Sequence, residues 1–242
     1  MSRSSENVTK TFLLVCPDCK KTYPLTVTCE PDFMCLNDGD RILCTPCGTA
    51  RRAAEQLRHA ANQMLQRINA AGIPPEFRNY DPERGNPAML EWIASNSEKN
   101  ILLMSEVNTG KTRALCKVLL DAVKSGIHCR YADFVDLSSE YSGAKKESTT
   151  AAQRVLKRIL RNYDILFVDD IDKQKLTETT GELLYKIFNA VYSGTARCRI
   201  WATMNHSGVE FMKRFENADQ GAAVLSRIER MMTDARFAVK HF

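Results

Sequence analysis

No apolar run in this chain of 242 residues approaches the roughly 20 that a membrane-spanning helix needs. The opening segment Met1–Lys10 also lacks the apolar centre of a secretory signal peptide. Together these absences predict a cytoplasmic protein with no membrane role. Neither an internal repeat nor a low-complexity tract is present, which excludes solenoid and linker architectures. Charge of one sign is not dominant: 34 Lys and Arg face 29 Asp and Glu, for a formal net charge of +5. That mild basic balance permits contact with nucleic acid without requiring it. A hydrophobic content of 44% and a charged content of 26% are ordinary for a globular protein of one medium domain plus a small one. What the chain does have is nine cysteines, and in a reducing compartment these argue for metal rather than disulfides.

Their spacing agrees. Cys16-Pro17-Asp18-Cys19 and Cys44-Thr45-Pro46-Cys47 are two C-x-x-C pairs. Each can place two thiolates on a tight turn, and two such turns make a tetrahedral Cys₄ zinc site. Residues Thr22–Thr28 between them suit a short strand or hairpin with too few apolar side chains to fold alone, so Zn²⁺ is expected to supply the stability a core cannot. Cys29 and Cys35 lie inside the loop and leave the choice of ligands open. Cys116, Cys129 and Cys198 fall on later elements and read as small packed hydrophobes.

The densest signal is Ile101–Leu115, ILLMSEVNTGKTRAL. Ile101–Met104 is an apolar run suited to a strand buried on both faces. A turn follows, and Thr112 onward reads as a helix. That order of strand, glycine-bearing turn and helix is what a phosphate-binding P-loop needs. Backbone N–H groups across Ser105, Asn108, Thr109 and Gly110 can curl around phosphate oxygens, and the start of the helix at Lys111, Thr112 and Arg113 adds its positive dipole end. Lys111 is expected to meet the β- and γ-phosphates of ATP or ADP, and the Thr112 hydroxyl to ligate Mg²⁺. Ser105 stands where the pattern G-x-x-x-x-G-K-[ST] has its first glycine. Asn108 is a residue that tolerates the left-handed conformation.

Two further strands end in polar residues. Ile165–Asp170 reads ILFVDD, and ligands in α/β folds sit at the carboxyl ends of buried parallel strands. Asp169 is therefore placed to hold Mg²⁺, and Asp170 to orient an attacking water. Arg199–Asn205 reads RIWATMN, and Asn205 can hydrogen-bond that water or the γ-phosphate.

Three strands ending in GKT, DD and N, in that order, resemble the Walker A, Walker B and sensor 1 elements of AAA+ ATPases. The resemblance implies an α/β fold, a three-layer P-loop sandwich with a parallel sheet. It also implies that Leu225–Met231, LSRIERM, carries an arginine finger, either Arg227 or Arg230. A finger stabilises the transition state in a neighbouring subunit, so self-association through the nucleotide interface is expected.

The rest of the chain fits around this core. Thr49–Ala70 has an apolar stripe at three- and four-residue spacing that ends at Ala71-Gly72, before Ile73-Pro74-Pro75. The expected organisation is a zinc-ribbon-like module over 1–48, a linker helix over 49–72 and the ATPase domain over 73–242, with no separate lid after the last strand, Ala235–Val239. Helices are expected over Thr112–Ser125, Thr149–Asn162 and Glu182–Ser193, and a strand over His128–Ala132. Phe77 and Tyr80 lie in an irregular strap and are candidates to pack beside adenine. Arg154, Lys157, Arg158 and Arg161 make one basic helix face, either solvated or tracking a nucleic-acid backbone.

The strap, the ILFVDD strand and the close of the chain just after the last strand resemble helicase loaders of the DnaC/DnaI type, in the IstB/DnaC-like branch. This resemblance implies an ATP-controlled switch whose partners are a replicative DnaB-type helicase and single-stranded DNA. Two alternatives stand beside it. One is an IstB-type ATPase regulator of transposition, and the other a non-hydrolysing zinc and DNA-binding adaptor.

Overall fold

The structure is a computed structural model that describes residues 8–16, 19–29, 45–79 and 86–236. It divides into two compact units, Met1–Gln63 and Met64–Phe242.

In the first unit, β1 (Val8–Val15) and β2 (Thr22–Cys29) form an antiparallel hairpin, with Val15 opposite Thr22 and Val8 opposite Cys29. The connection is tied by two backbone bonds of 2.9 Å, Cys16 N–H to Lys21 O and Lys20 N–H to Cys16 O, with Lys20 at φ 60°. Helix α1 (Thr45–Ala70) begins ahead of the expected Thr49, so Cys47 lies in its first turn rather than on a turn preceding it. Pro46 explains the earlier start, because proline is pre-set for the first helical turn and its missing N–H is not needed there.

The second unit is built on a five-stranded sheet of β3 (Ile101–Met104), β4 (Cys129–Asp133), β5 (Ile165–Asp169), β6 (Arg199–Met204) and β7 (Thr233–Arg236). The order is β4-β5-β6-β3-β7, and every pairing is parallel. Successive side chains point to opposite faces of a strand, and both faces are buried here. Ile101, Leu103, Ile165, Phe167 and Trp201 pack with Met89, Ile93, Leu115 and Leu119, from α2 (Pro87–Ser95) and α3 (Lys111–Lys124). Leu102, Leu166, Val168, Ile200 and Ala202 enter the opposite core. There they meet α4 (Phe134–Glu147), α5 (Thr149–Arg161), α6 (Glu178–Tyr192), α7 (Gly208–Met212) and α8 (Ala218–Met231). The expected three-layer sandwich is the observed one.

Three differences from the sequence reading have local causes. Strand β4 runs one register later than His128–Ala132, because Asp133 both ends it and N-caps α4 through a bond from Val135 N–H. Helix α6 starts at Glu178 because Thr177 caps it. Strand β7 covers Thr233–Arg236, and the remainder of the expected Ala235–Val239 lies outside the described residues. The turn that leads from α1 into the strap pairs with the outer edge of β4: Tyr131 N–H donates to Ala71 O at 2.7 Å, and Ile73, the next apolar residue, is buried. Gly72 sits at φ 71°, where an added Cβ would meet Arg130 Nη1 at 3.0 Å, so the turn from α1 into the strap requires glycine. Among the described residues no helix is long and apolar enough to cross a membrane.

Candidate functional site

The strand order β5-β6-β3 brings three carboxyl ends side by side, and with them the GKT turn, the two aspartates and Asn205. After β3 the chain turns with Asn108 at φ 65° and Gly110 at φ 85°. An added Cβ on Gly110 would touch nothing within 4 Å, so its role is conformational, and no side chain caps the first turn of α3. The first N–H groups of that helix therefore have no side-chain cap at its start, a fit for phosphate oxygens. Ser105 is not among the residues with positive φ, so this position does not demand the missing glycine. Its hydroxyl instead bridges the loop to Thr109 Oγ1 at 2.7 Å.

Lys111 is buried. Its Nζ donates to Ser105 O (2.7 Å), Glu106 O (2.9 Å) and Asn205 Oδ1 (2.9 Å). Burial holds its pKa below the ordinary lysine value, against the opposing pull of Asp170, Asp172 and Asp169. The Asn205 amide then reaches on, Nδ2 donating to Asp170 Oδ1 at 3.2 Å. One asparagine thus joins the lysine of the P-loop to Asp170, the acid just after β5.

Asp169 is nearly enclosed. Its Oδ1 accepts from Thr112 Oγ1 (2.9 Å) and Thr203 Oγ1 (2.5 Å), and its Oδ2 from Tyr131 OH (3.0 Å). Burial raises its pKa, the three hydroxyls act to lower it, and the charge of Asp170 raises it further. The Thr112 hydroxyl and the Asp169 carboxylate make an all-oxygen donor pair that fits Mg²⁺, and both are anchored on rigid elements. Asp170 has φ 53°, which swings its carboxylate out of the line of the strand, and its N–H is held by Thr203 Oγ1 at 2.8 Å. Its other oxygen lies 3.8 Å from Lys173 Nζ. Arg113 is exposed at the start of α3.

Four residues of this network escaped the sequence reading: Tyr131, Thr203, Asp172 and His206. Asp172 Oδ2 accepts from Asn205 N–H (2.8 Å), His206 N–H (2.7 Å) and His206 Nδ1 (2.6 Å). An acid following ILFVDD reads as a turn residue, and only the spatial order of β4, β5 and β6 reveals these neighbours.

The two finger candidates differ. Arg227 is held within the subunit, with bonds to Asn189 Oδ1 (2.8 Å), Ala223 O (2.8 Å) and Tyr185 OH (3.0 Å), and its guanidinium lies 4.5 Å from the Tyr185 ring centre. Arg230 is exposed and makes a longer bond of 3.3 Å to Tyr192 OH. Phe77 packs at a tilt against Tyr131, centroids 6.5 Å apart, and Tyr80 lies outside the described residues. Arg154, Lys157, Arg158 and Arg161 are all exposed on α5, Arg158 in an ion pair with Glu140.

The expected Cys₄ zinc site falls largely outside the described residues. Cys16 is buried and Cys19 exposed at the hairpin connection. Cys44 and Cys35 lie outside, as do the side chains of Cys47 and Cys29. Among the described residues no group of three or more His, Cys, Asp or Glu is arranged to hold a metal ion. Cys116, Cys129 and Cys198 are buried as expected, their thiols pushed up by burial, Cys129 to about 12 and Cys198 to about 11.

Comparison with known proteins gives a consistent picture. Residues 49–233 match the family model of the IstB-like ATP binding protein. Over 173 residues the chain is 25% identical to an insertion sequence IS21-like ATP-binding protein of Bacteroides fragilis, a match that covers 68% of this chain and 64% of that protein. The chain thus spans a little under two thirds of that relative's length. Among solved structures, the DnaC helicase loader superposes with a TM-score of 0.53 at 20% identity, covering 72% of this chain and 99% of that one. DnaI gives 0.54 at 15% identity, with coverage of 67% and 93%. AMPPCP-bound DnaA from Aquifex aeolicus gives 0.51 at 21% identity, with coverage of 67% and 50%. At these identities the structural likeness establishes the fold alone.

Proposed function

This chain belongs to the IstB-like ATP-binding family of AAA+ ATPases, and from that membership we propose that it is a cytoplasmic, ATP-controlled loader that delivers a replicative DnaB-type helicase to single-stranded DNA. The observation that carries the switch is the Asn205 bridge between Lys111 Nζ and Asp170 Oδ1. Lys111 cannot serve a phosphate while Asn205 and two backbone carbonyls hold its amine. Nucleotide binding therefore exchanges those contacts for the β- and γ-phosphates and frees the Asn205 amide to sense the terminal phosphate. Two states that differ in such contacts are what a ligand-driven switch requires.

In this reading Ser105, Asn108, Thr109, Gly110 and Arg113 shape the phosphate site, and Thr112 and Asp169 hold Mg²⁺. The metal neutralises charge on the phosphates. Asp170 orients the attacking water, and the exposed Arg230, rather than the internally bonded Arg227, reaches a neighbouring subunit. The basic face of α5 follows the DNA backbone. The N-terminal unit binds Zn²⁺ through Cys16, Cys19, Cys44 and Cys47 and grips the helicase. Metal analysis of the purified protein should give one zinc per chain, and a zinc-free, folded preparation would remove that part.

Native mass spectrometry of the full chain with a DnaB-type hexamer tests the loader reading. A complex of defined stoichiometry whose stability differs between ATP and ADP is expected. A second reading, regulation of transposition, is supported by the IS21-like relative. Filaments on duplex DNA that require ATP, together with no helicase complex in either nucleotide, would replace the first reading by the second.

A further inference from the structure

We propose that Asp172 is a positioning residue for ATP hydrolysis: with His206 as its partner, it sets the Asn205 amide in the place from which that amide meets the nucleotide. The proposal rests on the assignment of Asn205 to the phosphate end of the site.

Asp172 is a fully buried carboxylate, 0% exposed. Its hydrogen bonding is lopsided. All of the N–H groups it receives fall on Oδ2, and among the described residues Oδ1 has no hydrogen-bond partner. A buried carboxylate with a bare oxygen costs stability. The bare oxygen is tolerated because the other one gathers three nitrogens of the turn after β6, which an apolar side chain would leave without that partner.

What the arrangement achieves is local. At Asn205 the chain leaves β6, and two residues later Ser207 N-caps α7 with a reciprocal bond to Glu210. Between these anchors, among the described residues, the backbone N–H groups of the turn are held by Asp172 Oδ2. Asn205 N–H and His206 N–H converge on the same oxygen, which fixes the two peptide planes and with them the direction of the Asn205 Cα–Cβ bond. The His206 ring completes the clamp. Its Nδ1 lies 2.6 Å from the carboxylate, which places the ring proton on Nδ1, while the ring itself is 37% exposed. From this platform the Asn205 amide spans 2.9 Å to Lys111 Nζ and 3.2 Å to Asp170 Oδ1. An amide that must read a phosphate at hydrogen-bond range tolerates only a few tenths of an ångström of drift. Asp172 does not touch that phosphate; it acts through Asn205.

The test uses steady-state ATP hydrolysis by the full chain, with ATP binding measured separately at equilibrium. Asp172→Ala should lower kcat by roughly tenfold or more, the scale on which supporting residues act on a reactive site. KM should change by less than about twofold, because transition-state contacts and not ground-state binding are lost. Asp172→Asn should recover most of the rate, since its carbonyl oxygen can replace Oδ2. His206→Leu should lose part of the rate and His206→Asn regain it by restoring an N–H donor. In an Asn205→Ala background, Asp172→Ala and His206→Leu should cause no further loss of kcat. Should Asp172→Ala fail to fold, His206→Leu carries the same cycle on a half-exposed side chain.

Losses that multiply with that of Asn205→Ala would overturn the proposal, because Asp172 would then act independently of Asn205. An Asp172→Asn protein as slow as Asp172→Ala would also overturn it, assigning the effect to negative charge near Lys111. Wild-type kcat in Asn205→Ala would instead remove the assignment of Asn205 on which the proposal stands.

Discussion

Tyr131 donates its hydroxyl to Asp169 Oδ2 at 3.0 Å from the neighbouring strand, tying the acid proposed to hold Mg²⁺ to the edge strand β4. Phe77 of the strap packs against the same ring, and Phe167 meets it edge-on at 5.3 Å. The phenol thus supports Asp169 at Oδ2, while Thr112 and Thr203 act on Oδ1. Burial raises the Tyr131 pKa, so the hydroxyl is a donor throughout the physiological range.

Tyr131→Phe removes one of the three hydroxyls that hold down the Asp169 pKa. Asp169 must be ionised to bind Mg²⁺, so the acid limb of the hydrolysis profile should move to higher pH in the variant. Losing a hydrogen bond to a buried carboxylate should also cost about 1–3 kcal/mol of stability. Paired pH–rate profiles and denaturant titrations check both. Superimposable profiles would show that Asp169 does not sense the phenol.

Asp169 also predicts how the nucleotide-free protein responds to pH. Its folded pKa is raised above the ordinary carboxylate value, chiefly by burial. The folded state therefore holds that proton more tightly than the unfolded chain does. The stability this contributes is complete below about pH 3.9, the unfolded value, and is lost as pH rises through the raised folded one. Thermal melts of wild type and Asp169→Asn across this window should diverge, wild type losing ground as pH climbs. Parallel curves would mean that Asp169 titrates normally in the fold.

The parts of this site that could be read in the sequence are those carried by one stretch of chain. The GKT turn needs only its own strand, glycine and helix, and Asp169 and Asn205 announce themselves as polar ends of apolar runs. Tyr131, Thr203 and Asp172 could not be read this way. Each acts on a residue of another strand or turn, and the order β4-β5-β6 that joins them arises from crossover connections. Helix α4 was missed for a different reason. Its buried apolar positions are Phe134, Leu137 and Tyr141, a fourth buried position is the polar Ser138, and no buried apolar residue follows Tyr141, so its apolar stripe is thin. Thr203 shows how burial hides a polar contact: inside the run IWATM it looks like a β-branched strand residue, yet its hydroxyl donates to the Asp169 carboxylate and accepts from Asp170 N–H.

Replacing Lys111 and Asp170 should separate binding from turnover. Lys111→Ala removes the cation proposed to meet the phosphates and should abolish measurable ATP binding. Asp170→Asn keeps the size of the side chain and the contact from Asn205, and should bind ATP normally while hydrolysing it at least about 100-fold more slowly, the scale of general base catalysis. Equilibrium binding and single-turnover hydrolysis resolve the two. An unchanged rate in Asp170→Asn would strip Asp170 of its role with water, and normal ATP affinity in Lys111→Ala would place the nucleotide elsewhere.

The two arginines of α8 should fail in opposite ways. Arg227 joins α8 to α6 through Asn189 and Tyr185, so Arg227→Ala should cost about 1–3 kcal/mol of stability, from charged hydrogen bonds and a cation–π contact. Arg230 makes one long bond at the surface, and Arg230→Ala should leave the melting temperature nearly unchanged. If Arg230 completes a neighbour's site, its loss should slow hydrolysis by roughly 10³-fold in the assembled protein. Complementation then separates a finger from an ordinary active-site residue. A Lys111→Ala subunit has a dead site but an intact Arg230, and an Arg230→Ala subunit has the reverse. Mixing the two inactive proteins creates interfaces at which a working Lys111 faces a working Arg230, so ATPase activity should reappear in the mixture. Activity that stays at the level of the separate variants, in a mixture shown to co-assemble, would mean that Arg230 does not act across the interface.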